Sequence, residues 1–384
     1  MIEKALKGSK TYKQWLIFLL AIMGVGLGFY LVQVKEGLTV TGLSRDVSWG
    51  LYVGQFTLIV GVAASAVMLV LPSYLHNVRE FSRITVLGEF LAVASVIMCL
   101  LFIIVDLGSR SRLFNVLIYS TPHSLLFWDM VVLNGYLILN LLIGWNVLEA
   151  ERNSTAPPKW VKALIYVSIP WAFSIHTVTA FLYAGIPGRH FWLTALIAPK
   201  FLASAFATGP ALLIILCLAL KKFAKFDAGK AAIERLALIV TYALIVSVFM
   251  VAVEFFTAFY SQVPGHMHAL KYLFAGLEGH GKLVPLMWFF VVLAIVGLIL
   301  LINPKTRRNE KTLLIASIAV FLSMLIEKGV SFVVGGFIPN PLEHVVEYVP
   351  TATEIFISLG VWATGFLILS IFYKIVVSVK AEIE

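Results

Sequence analysis

The sequence is poor in charged residues and in cysteine. Only 13% of its 384 residues are Asp, Glu, Lys or Arg, whereas 60% are hydrophobic. This composition excludes a soluble globular protein and indicates a membrane protein with several spans. The two cysteines, Cys99 and Cys217, lie in different apolar segments and form no CxxC pair. The sequence therefore offers no cysteine set for an iron–sulfur cluster or a structural zinc site.

Paired histidines within the apolar segments are lacking as well. A membrane b-type haem needs two axial ligands from facing helices, but only His176 lies deep in an apolar run. His123 and His280 lie at segment ends, so the sequence argues against haem. The formal charge of +9 is not a signal for nucleic-acid binding, because basic residues of a membrane protein usually mark cytoplasmic loops.

Ten apolar segments are long enough to cross a bilayer core of about 30 Å. No cleavable signal peptide precedes the first segment, which is therefore predicted to stay in the membrane as a signal anchor. We number the segments helix 1 to helix 10; they run near residues 15–33, 50–74, 84–107, 123–148, 160–184, 194–220, 235–261, 283–302, 312–334 and 351–378.

The basic residues favour one orientation of these helices. If the helices alternate in direction, one side of the membrane holds 20 of the 29 Lys and Arg residues and the other side holds 9. The positive-inside rule then predicts a multi-pass protein of the cell membrane with both termini in the cytoplasm. Two loops on the outer side, 262–282 and 335–350, are long and rich in Gly and Pro, which is typical of docking surfaces. Solvated connectors are the alternative.

A weak internal repeat divides the chain. The stretch VGVAASAVMLVLP in helix 2 is echoed by KFLASAFATGPALLI in helix 6, four helices later. We therefore predict an all-α integral membrane protein in which two four-helix bundles, helices 2–5 and helices 6–9, are flanked by helices 1 and 10. The corresponding segments are residues 1–48, 49–190, 191–345 and 346–384.

Ionisable side chains inside apolar spans are costly and indicate function. Here they are Glu89, Asp106, Asp129, His176, Lys200, Glu254, Glu327, Lys328 and Glu354. One polar stripe follows helix 5 and consists of His176, Thr179 and Tyr183. A second stripe follows helix 4 and consists of Asp129, Tyr136 and Asn140. We expect the stripes to meet in the outer half of the first bundle as a polar pocket with a proton path; a network that only joins helices is the alternative.

Three stretches resemble a known family: WGLYVGQFTLIVGVAASAVM in helix 2, HSLLFWDMVVLNGYLILN in helix 4 and IPWAFSIHTVTAFLYAGIPGRHFWLTALIAPKFLASAFATGPAL from helix 5 onward. They are similar to the integral membrane subunits of the NrfD/PsrC (polysulfide reductase) family, closest to its ten-helix branch containing DsrP and HmcC. DLGSRSRLFN, residues 106–115, resembles the family's DLGRPxRF element but has Ser109 where proline is expected.

The resemblance implies a quinone-reactive subunit of an oxidoreductase complex that has no redox cofactor of its own, neither haem nor iron–sulfur cluster. Menaquinone is then a non-covalently bound substrate in the first bundle near the outer face. The implied quinone-binding positions are Asp106, Arg110, His123, Asp129, His176 and Tyr183. The expected proton path toward the cytoplasm comprises Glu89, Asp129, Tyr136 and Asn140.

The resemblance also implies partners. Electrons are expected to pass to or from an exoplasmic ferredoxin-like iron–sulfur subunit, within a complex that holds a multihaem cytochrome c and further membrane and cytoplasmic redox subunits, linked to sulfur metabolism. Two other functions stay open. One is a secondary transporter, although the repeat is parallel and no span shows an unwound Gly-rich centre. The other is a purely structural membrane anchor for redox subunits.

Overall fold

The computed structural model describes residues 2–5, 7–76 and 78–383. Within these residues ten helical segments are long and apolar enough to cross a membrane, which confirms the predicted all-α membrane fold. Helices 1 to 10 are Lys10–Val40, Leu51–Tyr74, Thr85–Asp106, Leu125–Arg152, Lys159–Ala184, Ile197–Ala224, Lys230–Tyr260, Val284–Ile302, Glu310–Gly335 and Ala352–Ile383.

Helix 1 begins earlier than the apolar pattern predicts, and its cap explains why. The Ser9 hydroxyl accepts a hydrogen bond of 3.2 Å from the Tyr12 N–H, which satisfies one of the amide groups left free at a helix start. The α-helix ends at Glu36, where Gly37 adopts a φ of 76° that favours glycine, and a 3-10 turn continues to Val40.

The helices pack in two groups. Helices 2, 3, 4 and 5 contact one another in ring order, and helix 5 returns to helix 2; helices 6, 7, 8 and 9 do the same. We call these the first group and the second group. Helix 2 contacts helices 6 and 9, and helix 5 contacts helix 6, so these helices form the junction between the groups. The boundaries of the four segments predicted above stay a prediction.

Helices 1 and 10 pack against each other, and helix 10 also packs on helix 3. A Cβ atom on Gly26 would lie 2.6 Å from the Gly360 Cα atom, so only glycines allow the two backbones this approach. Lys4 and Glu382 form an ion pair, which places both ends of the chain on one side of the molecule. We call this the terminal side and the opposite one the far side.

Two helices contain a π turn. In helix 2, the α-helix Leu51–Ala64 is followed by a turn at residues 65–66, by Val67–Val70 and by the π segment Leu71–Leu75. In helix 9, the π segment Leu325–Ser331 follows the α-helix Glu310–Met324. A π turn inserts a residue into the helix and changes the direction of the side chains around it, and such turns are frequent at functional sites.

Glu354, one of the ionisable residues within the spans, joins loops on the far side. Its fully buried carboxylate accepts hydrogen bonds from the Tyr348 hydroxyl at 2.5 Å, the Gly42 N–H at 2.7 Å and the Thr351 N–H at 2.9 Å. Burial, together with this neighbouring carboxylate, raises the pKa of Tyr348, which keeps the phenol protonated as a donor. Glu354 therefore attaches the loop after helix 1 to the start of helix 10.

The far-side loops 262–283 and 337–350 are also joined to each other. The short helix Pro264–Phe274 carries His268, whose Nδ1 lies 2.7 Å from a carboxylate oxygen of Glu343. The Lys282 N–H donates a hydrogen bond of 2.8 Å to Glu347. The two long loops of the second group thus form one continuous surface.

Candidate functional site

The two polar stripes meet where helices 4 and 5 pack together. The Thr179 hydroxyl donates a hydrogen bond of 2.7 Å to the Asp129 carboxylate, and both side chains are buried. Gly135 makes the close approach of the helices possible, because a Cβ atom there would lie 2.3 Å from the Trp171 ring. The Trp171 N–H also donates a hydrogen bond of 2.8 Å to the Val132 carbonyl, which fixes helix 5 against helix 4.

His176 lies one helical turn before Thr179 and is fully buried. Within the described part of the chain, neither ring nitrogen of His176 has a hydrogen-bond partner. Buried polar atoms of proteins are nearly always hydrogen-bonded. The imidazole therefore keeps unused hydrogen-bonding capacity on both nitrogens, next to the Asp129–Thr179 pair.

Tyr183 lies two helical turns after His176 on helix 5, toward the far side. Its hydroxyl forms a hydrogen bond with the Thr57 hydroxyl on helix 2. Its ring makes edge-on contacts with four aromatic rings at centroid distances of 5.1–5.9 Å, those of Trp49, Trp192, Phe201 and Phe332. We call Asp129, His176, Thr179 and Tyr183 the polar cluster.

Arg110 lies elsewhere. Its guanidinium donates hydrogen bonds to the carbonyls of Gln33 at 3.0 Å and Val34 at 3.3 Å, and it lies 5.6 Å from the Tyr30 ring centroid. A cation bonded to the last carbonyls of a helix is a favourable cap, so Arg110 stabilises the end of helix 1. Asp106, the last residue of helix 3, has one buried carboxylate oxygen without a partner among the described residues.

Three of the six predicted quinone-binding residues therefore come together, and three do not. Asp129, His176 and Tyr183 belong to the polar cluster. Across residues 7–76 and 78–383, no hydrogen bond or ion pair joins Asp106 or Arg110 to these three side chains. His123 is exposed in the turn that precedes helix 4.

Sequence reasoning missed Gln33. This residue is completely buried in helix 1, where its amide donates to the Val105 carbonyl at 2.6 Å and accepts from the Tyr52 hydroxyl at 2.7 Å. An amide near the end of an apolar run was the only available signal. Thr57 was missed too, because nothing in the sequence predicts that helix 2 places its hydroxyl against Tyr183.

Three of the four predicted proton-path residues, Asp129, Tyr136 and Asn140, follow one face of helix 4. Asp129, Tyr136, Asn140 and Gly144 are spaced i, i+7, i+11 and i+15, which covers about 22 Å along the helix. Glu89 of helix 3 packs against Gly144, because a Cβ atom on Gly144 would lie 3.2 Å from a Glu89 carboxylate oxygen. These residues therefore mark a line from the polar cluster to the terminal half of the first group.

Glu89 is buried and has no hydrogen-bond partner on either carboxylate oxygen among the described residues. The Tyr74 hydroxyl approaches it without reaching hydrogen-bond geometry. Lys380 and Glu151 form a 2.9 Å ion pair whose charges act on Glu89 from the terminal side. Asn140 donates to the Tyr136 carbonyl at 2.8 Å, but direct hydrogen bonds between described side chains do not connect Glu89 to Asp129.

Metal binding has no support in the described residues, because no group of three or more His, Cys, Asp or Glu side chains is placed to hold an ion. The polar cluster is also closed in this conformation. His176, Thr179 and Tyr183 are each 0% exposed, so no water-sized space touches them. A ring-sized ligand can reach the imidazole only if neighbouring side chains move.

These features define the protein as a polytopic helical membrane protein with a closed polar cluster in the far half of one helix group. Residues 39–336 match the model of the family described as "Polysulphide reductase, NrfD". The chain belongs to the NrfD polysulphide reductase family, which confirms the resemblance at the family level. Its place in the branch containing DsrP and HmcC stays a prediction.

Three relatives align with nearly the whole chain. A putative membrane subunit of dimethyl sulfoxide reductase from Halobacterium salinarum is 27% identical over 92% of this chain and 88% of its own length. The Hdr-like menaquinol oxidoreductase integral membrane subunit of Archaeoglobus fulgidus is 23% identical over 97% and 95%. The menaquinone reductase integral membrane subunit of Nitratidesulfovibrio vulgaris is 22% identical over 94% and 91%.

Proposed function

We propose that this protein is the quinone-reactive membrane subunit of a redox complex and that it binds menaquinone or menaquinol at the polar cluster. The names of two relatives, a menaquinol oxidoreductase subunit and a menaquinone reductase subunit, support a quinone-linked role. One observation carries the choice of site. His176 is a fully buried imidazole whose two nitrogens have no partner among the described residues, and it lies one turn before Thr179, which is hydrogen-bonded to the Asp129 carboxylate.

The residues of the polar cluster fit the requirements of a quinone head group. A quinone carbonyl needs a hydrogen-bond donor, and imidazole and phenol both supply one. A carboxyl group such as Asp129 can give or accept the proton that accompanies electron transfer, and Thr179 holds it in place. The bound quinone supplies the redox chemistry, while the protein binds, orients and exchanges protons. Asp106, Arg110 and His123 stay predicted quinone-binding positions, but they lie apart from the polar cluster in this conformation.

Protons for this chemistry are proposed to come from the terminal side through Glu89. The face of helix 4 that carries Tyr136 and Asn140 leads from Glu89 to Asp129. Because direct hydrogen bonds do not link these side chains, the route requires intervening water molecules. Glu89 is the relay in this scheme, since a carboxylic acid can release a proton on one side and accept another from the opposite side.

Electrons are proposed to come from a neighbouring subunit. The excess of basic residues on the terminal side supports a cytoplasmic location for that side, and the far-side surface formed by loops 262–283 and 337–350 is then proposed to face outward. An exoplasmic ferredoxin-like iron–sulfur subunit is proposed to dock there. The multihaem cytochrome c, the additional redox subunits and the link to sulfur metabolism remain expectations of the family resemblance.

Quinone binding to the full-length protein in lipid nanodiscs tests the proposal. A short-chain menaquinone analogue is titrated while the fluorescence of tryptophan is recorded, because Trp49 and Trp192 lie against Tyr183. We expect saturable quenching by the wild type and about tenfold weaker binding by His176→Gln, the loss of about 1.4 kcal/mol of binding free energy. His76→Gln, the same change at an exposed position, is the control.

Equal quinone affinity of His176→Gln and the wild type would show that the polar cluster is not the quinone site. Absence of quinone binding in both, together with solute uptake by vesicles that contain only this protein, would instead support the transporter alternative. Absence of both activities would leave the anchor alternative.

A further inference from the structure

The second group contains a buried cluster of charges that the proposed quinone chemistry does not use. The Lys200 ammonium on helix 6 lies 2.7 Å from a Glu254 carboxylate oxygen on helix 7 and 2.7 Å from a Glu327 carboxylate oxygen on helix 9. The three side chains are only 6%, 13% and 7% exposed, respectively. We call them the buried triad.

The triad is an expensive way to hold three helices together. Each buried ion costs several kcal/mol of desolvation, and apolar side chains of similar volume usually join helices equally well. Two carboxylates and one ammonium also leave one negative charge in excess. The cost indicates a role beyond packing, and the excess charge requires a further partner.

Lys328 supplies the missing positive charge. It follows Glu327 in the π turn of helix 9, and it is buried. Its ammonium donates to the Phe201 carbonyl at 3.3 Å, lies 4.4 Å from the Phe201 ring centroid, and would lie 3.2 Å from a Cβ atom on Gly61. From this π segment Glu327 reaches the triad and Lys328 reaches helix 2, at the junction of the two groups.

The same lysine links the triad to the polar cluster. The charge of Lys328 acts on His176 of helix 5, and the Phe201 ring under its ammonium also contacts the Tyr183 ring at 5.9 Å. The titratable groups that face Lys328 or the triad from the surrounding helices are Cys99, His176, Lys200, Glu254 and Glu327. A change of charge at the quinone site therefore acts electrostatically on the Lys328 ammonium. If Lys328 moves, its positive charge neutralises the Glu327 carboxylate to a different extent.

We propose that the buried triad is a second proton-binding site, which takes up one proton when negative charge arrives at the polar cluster and releases it when that charge leaves. This inference rests on the proposed quinone function. The proton comes from water and binds a carboxylate oxygen of Glu254 or Glu327, while Lys200 keeps its own proton and stays paired with the other carboxylate. No electron moves in this step.

Electrostatics predicts that the triad takes up a proton, and does not release one, when negative charge arrives at the polar cluster. Negative charge near His176 attracts the Lys328 ammonium, which leaves Glu327 less compensated, and it also repels the carboxylates directly. Both effects favour the neutral, protonated form of one carboxyl group. A triad that only joins helices stays fully ionised in every state of the quinone.

Infrared difference spectroscopy of the full-length protein in nanodiscs tests the inference. Spectra are compared with the menaquinone analogue bound in its oxidised form and after photochemical one-electron reduction to its anionic form, which puts the negative charge at the polar cluster. We expect the reduced state to show the C=O stretch of a protonated carboxylic acid. Glu254→Gln and Glu327→Gln should each lose this band, since the remaining carboxylate then no longer shares Lys200 with a second carboxylate and stays ionised. Glu234→Gln, on the same helix 7 with surface partners, is the control.

Lys328→Met tests the coupling between the polar cluster and the buried triad. It leaves all three triad residues in place, so a lost band is not caused by a lost triad residue. We expect this variant to bind the analogue and to lose the band. A wild type that binds quinone without the band, or a band unchanged in both Gln variants, would overturn the second proton site. A wild type that binds no quinone would overturn the proposed function, and the inference with it.

Discussion

Thr179 donates a hydrogen bond of 2.7 Å to Asp129 across the contact of helices 4 and 5, one helical turn after His176. We expect Asp129→Asn to keep the hydrogen bond, because an amide oxygen accepts equally well, but to remove proton exchange. Menaquinol-linked electron transfer by the assembled complex should fall about 100-fold, the usual scale of general acid–base catalysis. His176→Ala should also abolish turnover while the complex still assembles. Asp227→Asn, exposed between helices 6 and 7, should behave like the wild type; normal turnover of both pocket variants would disprove the site.

Glu89→Gln tests the proton route. The substitution keeps the size of the side chain and its hydrogen-bonding groups but removes ionisation. In proteoliposomes that contain the whole complex and menaquinone, we expect this variant to lose membrane-potential generation or to slow with a solvent isotope effect. Glu149→Gln, exposed on helix 4, is the matched control. An unchanged potential per electron transferred would assign Glu89 a structural role.

Crosslinking tests the docking surface. Lys271 lies on the helix Pro264–Phe274, on the far side. A lysine-reactive crosslinker applied to the complex in mild detergent should join Lys271 to the iron–sulfur subunit. Lys162, exposed near the terminal-side start of helix 5, should join only subunits of the opposite face. Crosslinks from Lys271 to cytoplasmic proteins alone would contradict both the docking surface and the proposed orientation.

Tyr348→Phe tests the connection between the start of helix 10 and the neighbouring loops. The variant removes the 2.5 Å hydrogen bond to Glu354 and the acceptor of the Leu51 N–H at 2.8 Å. Loss of one buried partner costs about 1–3 kcal/mol, so thermal unfolding should occur at a clearly lower temperature. Tyr166→Phe, which alters an exposed phenol, should leave the transition in place. Quinone affinity should change in neither variant, and a selective loss of affinity in Tyr348→Phe would place this tyrosine in the binding site.

Glu347 makes one far-side loop sensitive to acid. Its partial burial favours a higher pKa, but the Lys282 N–H, His280 and the Lys282 ammonium together hold the pKa below 4.5. A lowered folded-state pKa means that the stabilisation is complete above pH 4.5 and is lost as the pH falls through the folded-state value. Amide hydrogen exchange of residues 276–283, corrected for the intrinsic pH effect, should therefore accelerate below pH 4.5. Glu347→Gln should show fast exchange at every pH; equal protection in both proteins would contradict this role.

Much of this architecture follows from one-dimensional patterns. Long apolar runs predict the ten spans, because a bilayer imposes a minimum length, and the polar stripes of helices 4 and 5 predict that Asp129 and Thr179 share an interface. The partners of Lys200 could not be predicted, since they depend on how helices 6, 7 and 9 are rotated against one another. The π segment of helix 9 that carries Glu327 and Lys328 leaves no periodic signal. Arg110 was assigned to the site by resemblance, whereas its geometry depends on where helix 1 ends.

The contact between Gly26 and Gly360 has a consequence for biosynthesis. Helix 1 leaves the ribosome long before helix 10, its main packing partner. Throughout synthesis the glycine face of helix 1 therefore meets lipid or another protein of the insertion machinery. Only when helix 10 arrives can the two backbones close, with the Lys4–Glu382 ion pair joining the ends of the chain. Helix 1 is therefore packed only after helix 10 has been inserted, and a chain cut before residue 352 leaves helix 1 without this partner.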